Sequence, residues 1–244
     1  MLTLMLLQGT QGLNTYYGIR AGENNTIGSS NSFFGTQTGQ ANDTGSNNTF
    51  FGYSAGYENR SGHSNSFFGM NAGYKSTGNW NSFFGNSTGE ANTTGVSNSF
   101  FGQNAGNANK TGNDNSFFGT ATGYKNETGV SNSFFGHSAG FENVAGNGNV
   151  FLGHNAGYWE KGDNKLYIDN SDTAYPLISG DFVTNDIIIY GGFKAIASYS
   201  SSDGRWKKNM KPLESSLEKV SHLQGMSYEW KTDEYPDFGL TEGK

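Results

Sequence analysis

A chain of 244 residues is long enough for one or two domains, but 37 glycines and only 33% hydrophobic residues do not make a single globular core. Charged residues are only 15%, so self-repulsion does not hold the chain open, and 19 Phe with 13 Tyr offer much apolar area to bury. A net charge of −6 argues against nucleic acid as a partner, and the lack of cysteine excludes disulfides and thiolate metal sites.

Residues 1–13 open with "MLTLMLLQG", which is apolar but has no basic start and no small-residue cleavage site. It reads as a lead-in strand rather than a signal peptide. No run approaches the roughly 18 apolar residues of a membrane helix, so membrane insertion is not expected.

Residues 14–163 repeat. Units start at Asn14, Asn31, Asn48, Asn65, Asn81, Asn98, Asn115, Asn132 and Asn149, with seven intervals of 17 residues and one of 16. A fixed short period predicts a solenoid in which each coil packs on its neighbours. The fifth and ninth positions are always glycine, as at Gly102 and Gly106, and a third glycine closes each unit, as at Gly112. These columns predict turns that need positive φ or close chain approach. The segments between them, such as Ser32 to Phe34 and Gln103 to Ala105, are too short for helices and are expected to be brief strands.

A column of Asn25, Asn42, Asn59, Asn92, Asn109, Asn126 and Asn143 predicts a side-chain hydrogen-bond ladder at about 4.8 Å per coil. Neighbouring strand residues point to opposite faces, so Phe33 and Phe34 cannot both enter a thin coil. One ring of each pair is expected outside, in a stripe that association with further copies of the chain would cover. The alternative is one wide coil that buries both. Tyr57, Tyr74, Tyr124 and Tyr158, with Phe141, form an exposed column able to face a ligand such as a sugar, or to pack between coils.

The wording "NSFFGxxAGxxNxTGxx" resembles the repeats of phage tail fibres and related bacterial surface proteins, and more loosely the heads of trimeric autotransporter adhesins. That resemblance implies a homotrimer forming a rigid shaft; the residues themselves imply only association. Residues 164–201 carry β-rich runs around Leu166 to Ile168, Leu177 to Ile178 and Ile187 to Tyr190, read as a neck that ends the coils.

In residues 202–244, Pro212 leads a helical pattern of Leu213, Leu217, Val220 and Leu223 that stops at Gly225, followed by a strand from Met226 to Trp230. Ser202, Asp203, Arg205, Lys207, Pro212, Tyr228 and Trp230 resemble the opening of the endosialidase-type C-terminal intramolecular chaperone, a self-cleaving serine peptidase domain. The resemblance implies Ser202 as nucleophile, Lys207 as its base, and a cut between Ser202 and Asp203; an acyl shift at Ser201–Ser202 stays open. Trp206 departs from the family's smaller aliphatic residue. Only 42 residues follow Ser202, so a shortened domain, inactive for that reason, is also expected.

The fold expected is all-β, a repeat β-solenoid or β-roll fibre of 17-residue coils, trimeric, with a short α+β C-terminal fragment. The function expected is a structural fibre segment on a virion or bacterial surface that attaches to a glycan or protein receptor of another cell, with a chaperone released by self-cleavage. A polysaccharide-degrading tailspike enzyme and an ice- or surface-binding solenoid are the alternatives. Neither a cofactor nor a metal is expected.

Overall fold

Each coil holds one strand of three residues, because only "SFF" or its equivalent is free of turn-forming positions. The computed structural model describes residues 12–192, and all their regular elements are strands. β1 (Thr15–Tyr17), β2 (Ser32–Phe34) and their counterparts up to β9 (Val150–Leu152) stack in parallel, unit upon unit. The register is that of the repeat, with Tyr16 opposite Phe33 and Phe134 opposite Phe151.

Glycine fixes the two bends after the strand. Gly102 has φ 135°, and a Cβ there would lie 2.4 Å from the Gly119 carbonyl oxygen of the next coil. At Gly106, with φ 56°, a Cβ would lie 2.3 Å from the Phe100 ring. The third column works by close approach alone: a Cβ on Gly112 would meet the Gly129 carbonyl oxygen at 2.4 Å. Gln103 to Ala105, expected as a second strand, is instead a turn. The cause is a left-handed residue between the glycines, Asn104 at φ 57°. Its counterparts include Gln37, Ser54, Ser87 and Ala121, so the conformation recurs without glycine.

The core is one stack of rings with buried alanines such as Ala55, Ala72 and Ala105 beside it. Phe33, Phe50, Phe67, Phe83, Phe100, Phe117, Phe134 and Phe151 are fully buried, with centroids 4.6–4.9 Å apart and planes within 4–8°. Tyr16 covers one end at 5.1 Å and Tyr167 the other at 5.4 Å.

Two asparagine columns flank it. The expected one forms in pieces: Asn42 Nδ2 donates to Asn25 Oδ1 at 2.7 Å, Asn109 to Asn92 at 2.7 Å and Asn126 to Asn109 at 3.0 Å. It is interrupted at Asn59, whose Oδ1 accepts from Gly62 N, and at the short coil, where Ser76 stands in the column and accepts from Asn92. The other column is the unit-opening asparagine itself. Asn98 Oδ1 accepts from the Asn115 N–H at 3.0 Å, and its Nδ2 donates to the Gly112 carbonyl at 2.8 Å. The same pair of bonds recurs from Asn31 to Asn149.

Although the repeat wording stops at Asn164, the stacking continues one rung further. β10 (Lys165–Ile168) pairs in parallel with β9 and places Tyr167 opposite Phe151. β11 (Ile178–Asp181) and β12 (Asp186–Ile189) then add to the sheet in antiparallel fashion.

Candidate functional site

The second ring of each pair forms an outer stack. Phe34, Phe51, Phe68, Phe84, Phe101, Phe118 and Phe135 alternate with the buried rings and point out of the coil. From Phe68 to Phe135 their centroids are 4.7–5.0 Å apart; between Phe34 and Phe68 they loosen to 5.7 and 6.2 Å. Ring faces cover one another, so most are half-buried, while Phe51 keeps 55% and Phe135 40% of its surface exposed. The split into inner and outer rings is the one that strand alternation predicts. Only Ser, Thr or Val precede the inner ring on the same face as the outer one, so this stripe carries no charge.

The column expected to be exposed is half-buried, because it too is stacked. Tyr57 lies on Tyr74 at 4.9 Å, and Tyr124, Phe141 and Tyr158 follow one another at 5.0 and 4.9 Å. The rings therefore turn their faces to one another along the stack. Burial, then the nearby Tyr57 and Glu58, push the Tyr74 hydroxyl above its ordinary range. The column is not continuous, since Glu90 and Asn107 hold the same position between Tyr74 and Tyr124.

Carboxylates of the coils serve mainly as ties between them. Glu127 accepts from Lys110 at 2.7 Å, Glu142 from Lys125 at 2.5 Å, Glu23 from Gln40 at 2.7 Å and Asp43 from Thr26. His137 and His154 stack at 5.2 Å on the surface. Among the described residues no group of three His, Asp or Glu is placed to hold a metal. Thr38, Thr88 and Thr122 are buried and donate to Gly52, Gly102 and Gly136, so these threonines build the coil and offer no flat outer face.

Residues 202–242 match the model of a family, Chaperone of endosialidase. The matched span contains Ser202, Asp203, Arg205, Lys207, Pro212, Tyr228 and Trp230, on which the resemblance rested. The solenoid lies outside it. No curated protein and no solved structure matches the chain. Ser202, Asp203, Lys207 and the expected helix after Pro212 lie outside the described residues.

The unit-opening asparagine is what sequence reasoning missed. It served to align the repeats, yet its invariance across nine units was itself the signal of a buried hydrogen-bonding role.

Proposed function

We propose that the solenoid is a shaft segment of a homotrimeric fibre, and that the chaperone-family segment assists assembly before it is released. The observation that carries this reading is the outer phenylalanine stack, uncharged and continuous over seven coils. In water such a stripe costs free energy at roughly 25 cal/mol per Å² of apolar surface, which burial against the same stripe on other copies removes. Identical spacing on every copy makes the stripe its own best match.

In this reading the fibre is displayed on a virion or a bacterial surface and attaches to a glycan or protein of another cell. Release is a single event in cis. The Lys207 amine takes the Ser202 hydroxyl proton, the oxygen attacks a neighbouring carbonyl and displaces its amide nitrogen, the freed amine takes up that proton, and water hydrolyses the ester so that the chain is cut beside Ser202.

Native mass spectrometry of the chain and of its Ser202→Ala variant tests both halves. A trimer shortened by the 42 residues after Ser202, restored to full length in the variant, is the expected result. A full-length trimer from both chains would remove the self-cleavage and leave the fibre. A stable monomer would sink the fibre.

A further inference from the structure

The tyrosine column contains a gap two coils tall. Tyr74 is stacked on Tyr57 on one side of it, and Tyr124 on Phe141 on the other. Between them stand Glu90 and Asn107, and the position beside them narrows from Lys75 and Lys125 on the flanking coils to Ala91 and Ala108. At one coil per ~4.8 Å, the two rings are about 14 Å apart. Each turns toward the gap a face that no other ring covers among the described residues.

The gap is confined to the side chains. Beneath it the Lys75 N–H donates to the Glu90 carbonyl at 3.1 Å, Ala91 to Asn107 at 2.9 Å and Ala108 to Tyr124 at 3.0 Å. The floor is therefore the shorter Glu90 and Asn107 side chains over the same backbone ladder that holds the rest of the array, set before any ligand arrives. Asn107 Nδ2 bridges the Ser87 carbonyl at 3.0 Å and Glu90 Oε2 at 3.3 Å. That bridge fixes both polar side chains and leaves Glu90 Oε1 and Asn107 Oδ1 without a protein donor among the described residues. A comparable polar pair, Glu23 and Gln40, precedes Tyr57, but there a tyrosine of the column bounds one side only.

Ring faces beside fixed acceptors suit one kind of ligand. The C–H bonds on one face of a pyranose are weakly positive and match the negative face of an aromatic ring, while its hydroxyls donate to carboxylate and amide oxygens. An anionic sugar would meet Glu90 and the chain's net charge of −6. We infer that the gap between Tyr74 and Tyr124 binds an uncharged hexopyranose of a surface glycan, stacked on a tyrosine face and held by Glu90 and Asn107. This deepens the attachment reading and rests on it, but does not require the trimer.

Saturation-transfer NMR on the full chain tests the site with three probes: methyl β-glucopyranoside, methyl β-galactopyranoside and methyl N-acetyl-β-glucosaminide. The double substitution Glu90→Tyr with Asn107→Tyr completes the aromatic stack and fills the gap. Tyr74→Leu keeps the bulk of one wall without its ring face. Saturation of ring C–H protons in at least one probe, lost in both variants while their circular dichroism stays that of the parent, is the expected result. Saturation that persists in the filled variant, or none from any probe with the parent chain, overturns the site. Native mass spectrometry of the same samples reads the trimer independently, so loss of the site and loss of the fibre are told apart.

Discussion

Phe83 lies face to face with Phe100, centroids 4.9 Å apart and planes 8° from parallel, and both are fully buried. Each inner ring thus has its two faces covered by the coils before and after it. A coil's stability is then set mostly by its neighbours, as in other solenoids.

Truncation of an inner ring should open a cavity between two coils. Phe83→Ala is expected to destabilise by about 3–5 kcal/mol, whereas Phe84→Ala, whose ring is half-buried, should cost the isolated chain about 1 kcal/mol. Chemical denaturation at low concentration measures both; equal losses would contradict the inner and outer assignment. For the proposed association of copies the order of importance should reverse, with Phe84→Ala the more damaging of the two.

The unit-opening asparagine can be tested by charge. In Asn98→Asp the buried side chain keeps an acceptor for the Asn115 N–H but loses its donor to the Gly112 carbonyl, so one oxygen of an ionised carboxylate faces a carbonyl oxygen. Burial raises that carboxyl's pKa, and a raised folded pKa gives stability that is present at low pH and lost as pH rises. The variant should therefore unfold more readily at neutral pH than in mild acid. Thermal melts showing the opposite slope would refute the geometry.

Ala121 occupies a left-handed position at φ 54°. Ala121→Gly should stabilise the chain, by up to about 1 kcal/mol, because the relief of Cβ strain exceeds the entropy cost of glycine. Gly102→Ala should do the reverse, since its Cβ would strike the next coil's backbone. Melting midpoints of the two variants should move in opposite directions.

Alkali should loosen the array from its ends. Burial pushes the Tyr16 hydroxyl up to about 12, and burial with the hydrogen bond to Glu160 pushes Tyr167 higher still. In the unfolded chain both ionise near the ordinary value of about 10. The stability these groups give is complete below that pH and falls as pH rises through the folded values. Tyr16→Phe should flatten the loss seen in denaturation midpoints above about pH 10; an unchanged slope would remove Tyr16 from the account.

Much of this was legible because a repeat displays its own constraints. Phe33 and Phe34 could be assigned to opposite faces from strand alternation alone, and the glycine columns marked the bends. The turn at Gln103 to Ala105 is not legible, because asparagine, serine and alanine at a left-handed φ leave no compositional mark of the kind glycine leaves. The tyrosine column is marked in the sequence by its aromatic members, whereas the break at Glu90 and Asn107 shows only where the polar residues at the same position are aligned with them. The tenth rung was hidden because Lys165, Leu166 and Tyr167 share no wording with the repeat, yet Tyr167 meets Phe151 as any inner ring would.

Among the described residues a tyrosine stands at each end of the inner stack, and between them every coil offers a buried phenylalanine ring to the coils above and below. A coil can therefore be added or removed without redesigning either terminus. Recombination between near-identical gene segments would change reach in steps of about 4.8 Å, so the distance this array spans is a heritable dimension that can be retuned without inventing a new contact.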